Sequence, residues 1–461
     1  MNPILNTDSY KTSHFLQYPP GTTHVFAYVE SRGGLYPRTV FFGLQAILKQ
    51  EFLPPITPAH VAEASALLAA HGEPFNESGW MRLVEKHGGR LPLEIRAAPE
   101  GLVIPVRNAL MSIVNTDPEF FWLTSYVETA LLRVWYPTTV ATIGWHVRQI
   151  IKEALDKTAD DPAAELPSKL HDFGARGVSS LASAALGGLA HLVNFKGTDT
   201  LAGIIAARDL YQAPMAGLSI PAAEHATITS WGREREYDAY ENMVTRFARP
   251  GKTFAVVSDS YDIYAAVDYL WGERLRQRVV DSGATLVVRP DSGDPVEIVA
   301  QTLSLLAERF GYDINGKGYK VLRHVRVLQG DGVNPTSISA ILERVVADGF
   351  CVVNIGFGMG GALLQRLDRD TQQFAYKASA VALDGVWRDI HKDPITDHGK
   401  RSKPGLLGLV ARPAYETVRV NAETFEPLAG GINVLRPVFR NGELLVDDTL
   451  ETIRARANPE I

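Results

Sequence analysis

Short apolar runs alternate with polar, glycine-bearing stretches through the middle of this chain. Thr253-Phe254-Ala255-Val256-Val257, Thr285-Leu286-Val287-Val288, Val325-Arg326-Val327-Leu328 and Phe350-Cys351-Val352-Val353 are the apolar runs. β-Branched and bounded by glycine and aspartate, they read as buried parallel strands. Helical patterns follow three of the intervening loops: Ile263 to Val280, Pro295 to about Phe310, and Pro335 to about Asp348. Asp294 is placed to cap the second, with Pro295 at its first position. The recurrence of strand, loop and helix at roughly thirty residues predicts βαβ units. In an α/β barrel the loops after such strands gather at one face, where the chemistry sits.

The flanks follow a different pattern. Residues 1–150 mix short strands (His24 to Glu30, Val103 to Val106, Leu110 to Val114) with helical segments (Gly43 to Phe52, His60 to His71, Phe120 to Val134). Asp156 to Ser168 is polar, carries two prolines and reads as a connection. Lys392 to Gly405 is a basic loop, and short strands such as Glu416 to Val420 follow it. Three regions are expected: an N-terminal α+β domain over 1–168, a barrel-like catalytic domain over 169–380, and a β-rich segment over 381–461 that packs with the N-terminal domain.

Composition narrows the function classes. With 461 residues the chain is long enough for a large core, and its net charge of −6 argues against a general nucleic-acid binder. The one cysteine, Cys351, excludes an intrachain disulfide and fits a reducing cytoplasm. The first residues lack a basic stretch followed by an apolar one, so no secretion signal is expected, and no uncharged run is long enough to span a bilayer.

The loops carry the candidate chemistry. His171-Asp172-Phe173-Gly174-Ala175-Arg176-Gly177 combines an aromatic face, a guanidinium fork and glycines that allow close backbone approach. Lys196-Gly197-Thr198-Asp199, Ala223-Glu224-His225, Ser258-Asp259-Ser260-Tyr261-Asp262, Arg289-Pro290-Asp291-Ser292-Gly293-Asp294 and Gln329-Gly330-Asp331-Gly332 follow, then Gly356-Phe357-Gly358-Met359-Gly360-Gly361. A pyrophosphorylated sugar would use this set. Asp291 and Asp331 suit ribose hydroxyls, and Gly358 to Gly361 suit a phosphate cradle. Arg32, Arg176, Arg369, Lys377, Lys400 and Arg401 are candidates for its phosphates. A lone histidine is usually structural, but His225 among carboxylates is placed to accept a phosphoryl group.

Several of these stretches resemble one family. Thr7-Asp8-Ser9-Tyr10-Lys11, Asn115-Thr116-Asp117-Pro118-Glu119, Trp135-Tyr136-Pro137, His171 to Ser180, Ala190 to Asp199, Pro221 to His225, Val257 to Tyr264, Arg289 to Gly293, Gln329 to Gly332 and Lys400-Arg401-Ser402-Lys403 are similar, in order, to the nicotinamide phosphoribosyltransferases. The resemblance spans nearly the whole chain. It implies a type II phosphoribosyltransferase fold: an irregular α/β barrel with a β-rich α+β domain built from both chain ends. It also implies a homodimer with shared sites, acting in NAD salvage on nicotinamide and phosphoribosyl pyrophosphate, with Mg²⁺ and with ATP as co-substrate. By the same resemblance Phe173 stacks one face of nicotinamide and Tyr10 of the other subunit the second, with Asp8 beside it. Asp199 accepts the carboxamide N–H, Arg289 lies at the ring, and Ser219 and Ser258 line the tunnel. Asp291 and Asp331 fall at the ribose, Gly360 and Gly361 at the 5′-phosphate, and Gly330 is among the substrate-binding residues. Arg32, Arg369, Lys377 and Lys400 go to the phosphates. His225 is the phosphorylated histidine, supported by Asp262. No direct metal ligand is assigned.

The chain departs from the relatives at Ala175, where they carry an aromatic, in a shorter loop after Arg32, and at Met359 and Ala362. Nicotinate phosphoribosyltransferase is the alternative in the same class. A sugar-phosphate lyase or isomerase would need a Schiff-base lysine or a proton-shuttling pair at a strand end, and Lys196 is the one lysine so placed in these loops. A non-catalytic binding protein would have no use for His225, Asp262 and Asp291 together.

Overall fold

A computed structural model describes residues 2–396 and 401–459. The chain forms two compact units, one from the residues up to Thr142, Asp209–Ala213 and those from Leu367 on, the other from Ile143–Arg208 and Pro214–Arg366.

The first unit is built on a seven-stranded sheet of both chain ends. Its order is Val386–Asp389, Phe374–Leu383, Thr22–Ser31, Ala109–Asn115, Leu93–Ala97, Arg436–Arg440, Glu443–Leu444. Neighbours are antiparallel throughout. Thr22–Ser31 is central and buried on both faces, with Phe26 and Tyr28 fully buried in a core that also takes Ile95, Ile113 and Phe439. Phe374–Leu383 pairs along nearly all of Thr22–Ser31, so the chain returns to this unit at 367 rather than near 380. The first unit likewise gives way to the second at 142/143, within the helix Trp135–Thr158, rather than at 168. That 24-residue helix takes in the start of the segment expected to be a connection.

The second unit holds six parallel strands in the order Gly197–Thr198, Leu170–Asp172, Ile355–Met359, Val325–Gln329, Thr285–Arg289, Thr253–Val257. Its two edges are joined through the segment from Leu218 to Ala222. Leu218 bridges Gly197 on one side and Ala222 bridges Ala255 on the other, both parallel. Thr198 N–H donates to the Leu218 carbonyl and Ala255 N–H to that of Pro221. The strands therefore close into a barrel, as the βαβ spacing predicts.

Local chemistry explains most boundaries. Asp294 Oδ1 accepts from the amides of Val296 and Glu297 and opens the helix Pro295–Phe310. Asn334 does the same for Pro335–Ala347. One strand lies elsewhere than expected. The run from Phe350 to Val353 is a buried turn, and the strand is the glycine-rich Ile355–Met359. Cys351 thus packs in a turn, its thiol donating to the Thr158 carbonyl. Glycine is needed in that strand because a Cβ at Gly358 would lie 2.0–2.8 Å from atoms of the Phe173 ring.

Candidate active site

A cavity of about 630 Å³ runs through the barrel. At the C-terminal ends of the strands it is lined by Phe173, Asp199, Ser219 and Arg289, and at the other end by Lys169, Arg326 and Val353. Ala255, Val287 and Leu328 form an apolar layer between, against which Phe173 and Ile220 pack. This wall suits a flat, largely apolar ring.

Phe173 follows the strand Leu170–Asp172, and its amide donates to the Met359 carbonyl. The guanidinium of Arg289 stands 5.8 Å from its ring centre. Asp199 follows Gly197–Thr198, with its amide on the Asp172 carbonyl. Its Oδ1 accepts the Ser219 hydroxyl at 2.5 Å. Asp199 and Ser219 therefore form one polar unit on the cavity lining. His171 lines the same cavity. Burial pushes its imidazole below the ordinary histidine value, and the nearby Asp199 carboxylate pulls it back up.

A second cluster sits at the next strand ends. His225 begins the helix His225–Thr229, which Glu224 caps. Its Nε2 lies 3.6 Å from Asp259 Oδ1 and 3.5 Å from Asp291 Oδ2, and its Nδ1 is 3.2 Å from the Ser260 hydroxyl. Arg289 holds Asp291 through two nitrogens, at 3.3 and 3.0 Å. Asp259 Oδ2 accepts from the Asp291 amide and the Ser292 hydroxyl.

Two expected residues stand differently. Asp262, expected beside His225, spends Oδ1 on the amides of Tyr264 and Ala265 as a helix cap. The carboxylates at His225 are Asp259 and Asp291. Ser258 is fully buried, donating to the Val256 carbonyl and accepting from the Trp271 indole, and it is not among the cavity's lining residues. It anchors the helix behind the strand.

The glycine loops adjoin these groups. A Cβ at Gly330 would touch Arg289, Asp291 and Phe173 at once, so the loop bearing Asp331 passes directly beside them. Gly360 lies against the Phe173 backbone, and Gly177, next to Arg176, faces Gly361. Arg176 itself is exposed on a short turn.

The first unit gathers cations. Arg32 Nε donates to Glu30, while its Nη2 is buried with no hydrogen-bond partner among the described residues. Burial pushes the Lys377 ammonium below the ordinary lysine value; Glu128 opposes it, and the like charges of Arg32, Lys392 and Arg369 add to the lowering. Positive charges this close cost free energy unless an anion offsets them. Arg369 pairs with Asp370, Arg401 lies 3.7 Å from Asp393, and Lys400 falls outside the described residues. Tyr10 is 55 % exposed beside His14, and Asp8 accepts the Thr129 hydroxyl.

The chain matches the nicotinate phosphoribosyltransferase (NAPRTase) family over residues 168–442 and the N-terminal domain of nicotinamide phosphoribosyltransferase over 2–95. It is 60 % identical to the nicotinamide phosphoribosyltransferase of Xanthomonas campestris over 460 residues, 99 % of this chain and 98 % of that one. The chain belongs to the nicotinamide phosphoribosyltransferase family. A relative of that name from Acinetobacter baylyi is 31 % identical, over 99 % of this chain and 97 % of its own. The fold is that of solved type II phosphoribosyltransferases. Nicotinate-nucleotide pyrophosphorylase from Pyrococcus furiosus superposes with a TM-score of 0.62 at 18 % identity, covering 100 % of this chain and 95 % of its own. Human nicotinic acid phosphoribosyltransferase gives 0.54 at 18 % identity, over 98 % and 93 %. No helix among the described residues is long and apolar enough to cross a membrane.

Proposed function

We propose that this enzyme joins nicotinamide to phosphoribosyl pyrophosphate, giving nicotinamide mononucleotide and pyrophosphate for NAD salvage, and that His225 couples the reaction to ATP hydrolysis. One observation carries the choice of base: the Asp199–Ser219 pair on the cavity lining beside Phe173. A carboxamide offers N–H donors to an aspartate, whereas a carboxylate offers none and is repelled by it.

In this reading Phe173 stacks the ring and Asp199 turns its amide, so that the ring nitrogen faces the anomeric carbon in line. That nitrogen is a modest nucleophile, and orientation matters more than proton removal. Asp291 and Asp331 take the ribose hydroxyls, and the backbone at Gly360 and Gly361 the 5′-phosphate. The carbon–oxygen bond to pyrophosphate breaks as positive charge builds on the sugar, and cations offset the charge of the leaving group. Arg32, Arg369, Lys377 and Lys400 are assigned to it, supplied by the partner of a homodimer together with Asp8 and Tyr10. The buried, unpartnered Nη2 of Arg32 supports an anion there.

Magnesium fits this donor set. Among the described residues no three acidic, histidine or cysteine side chains converge as a metal cage. Mg²⁺ bound through substrate phosphates needs only one or two carboxylates, which Asp291 and Asp331 provide at the strand ends. Bound there, it would neutralise departing pyrophosphate.

His225→Ala tests the ATP coupling. The variant should lose acid-labile phosphate on the protein and nicotinamide-stimulated ATP hydrolysis, and turnover should fall by orders of magnitude. ATP hydrolysis that still keeps step with product would refute a phosphohistidine.

A further inference from the structure

Gln372 is fully buried, and a buried amide is costly unless both its ends are satisfied. Both are, and on one residue. Its Oε1 accepts the Tyr36 amide at 2.8 Å, and its Nε2 donates to the Tyr36 carbonyl at 3.1 Å. Its main-chain carbonyl accepts the Ser31 hydroxyl at 2.7 Å. Its chain neighbours extend the grip. The Arg32 amide donates to the Gln373 carbonyl at 3.1 Å, and the Leu35 amide to the Thr371 carbonyl at 2.9 Å. Gly34 has a φ of +110°, and a Cβ there would stand 2.2 Å from the Thr371 carbonyl oxygen. The loop from Ser31 to Tyr36 thus lies directly on the turn Arg369–Thr371, which Asp368 caps through the amides of Asp370 and Thr371. Gly34 and Leu35 are exposed, so hydrogen bonds rather than apolar burial hold the loop down.

Each half of this clasp carries a cation assigned to the phosphates: Arg32 opens the loop and Arg369 opens the turn. The charges of both act on the Lys377 ammonium, and Arg32 Nη2 is buried with no hydrogen-bond partner among the described residues. Like charges repel, so an unrestrained loop would carry Arg32 away into water until an anion arrived. We propose that Gln372 is a positioning residue for the leaving pyrophosphate: by clasping Tyr36 it holds the loop on the turn and keeps Arg32 in the neighbourhood of Arg369 and Lys377 before the anion binds. This role rests on the assignment of Arg32 and Arg369 to pyrophosphate made above, and deepens it. Cations assembled in advance need no reorganisation when charge develops on the leaving group. Nor does the ligand have to order the loop as it binds.

Gln372→Met keeps the length of the side chain and removes both hydrogen bonds to Tyr36. The Kd for magnesium pyrophosphate, read by titration calorimetry, and the KM for phosphoribosyl pyrophosphate should each rise about 10-fold. The KM for nicotinamide should stay within about twofold of wild type, because Asp199 and Phe173 are untouched. Arg32→Ala should weaken pyrophosphate binding at least as much. Adding Gln372→Met to Arg32→Ala should then change the Kd by less than about twofold, since the clasp acts through Arg32. Gly34→Ala, in the exposed part of the loop, leaves Gln372 intact and lifts the loop off Thr371. Alone and with Arg32→Ala it should repeat the pattern of Gln372→Met, and it carries the test if that variant fails to fold. Wild-type constants in Gln372→Met or Gly34→Ala, effects that multiply in the double variants, or an equal rise in KM for both substrates would each overturn the proposal. Arg32→Ala with wild-type affinity for pyrophosphate would instead remove the assignment of Arg32 on which it rests.

Discussion

The Ser219 hydroxyl donates to Asp199 across the mouth of the barrel cavity at 2.5 Å, fixing one carboxylate on the cavity lining. A charge-assisted hydrogen bond from the carboxamide N–H of nicotinamide to this carboxylate would contribute about 1.5–3 kcal/mol. Asp199→Asn should therefore lower kcat/KM for nicotinamide by roughly 10–100-fold and raise it for nicotinate, with little loss of thermal stability. Steady-state kinetics on both bases check this; an equal loss on each would make Asp199 structural.

Gly358 and Phe173 are in direct contact, with no space for a methyl group. Gly358→Ala should displace the ring, at a stability cost of about 1–3 kcal/mol, and raise the KM for nicotinamide. Denaturant melts and initial rates report the two effects separately. An unchanged KM would mean that the ring does not hold the base.

Glu100 gives a pH signature to the first unit. Its carboxyl accepts the Gln45 amide and the Tyr211 hydroxyl, and burial pushes its pKa up to about 7. The folded state thus holds a proton that the unfolded chain releases near pH 4.5. Stability from this group is fully present below the unfolded value and is lost as pH rises through the folded one. The decline should total about 3 kcal/mol between roughly pH 4.5 and 7. Glu100→Gln should lack it, so the Tm difference, variant minus wild type, should rise from pH 5 to about pH 7 and level off above that. A difference independent of pH would show that Glu100 folds ionised.

Tyr10 lies exposed at the N-terminus, whereas Phe173 lines the cavity. If one subunit's Tyr10 completes the other's site, mixing inactive Tyr10→Ala and Phe173→Ala homodimers should restore activity through heterodimers with one intact site. Mass spectrometry verifies exchange; exchange without recovered turnover would rule out shared sites.

Much of this was legible in the sequence. The barrel strands from Thr253, Thr285 and Val325 declare themselves by β-branched runs, and Asp294 and Asn334 announce their helices by capping chemistry. The strand Ile355–Met359 was not legible as one, because its glycines answer to the Phe173 ring, a contact made only in three dimensions. The segment from Leu218 to Ala222 closes the barrel with too few bonds to leave a strand pattern. In Ser258-Asp259-Ser260-Tyr261-Asp262 the two aspartates look alike in sequence. Only backbone geometry makes Asp262 a cap and turns Asp259 toward His225. The resemblance singled out Arg32, Arg369 and Lys377, but not that they share one neighbourhood, since they come from distant parts of the chain.

The most direct test is product formation by the purified protein with phosphoribosyl pyrophosphate and Mg²⁺, offering nicotinamide or nicotinate, each with and without ATP. Mononucleotide and pyrophosphate should appear in equal amounts with nicotinamide, be stimulated by ATP, and form at least about 10-fold less efficiently with nicotinate. Preference for nicotinate, or no pyrophosphate from either base, would contradict the assignment.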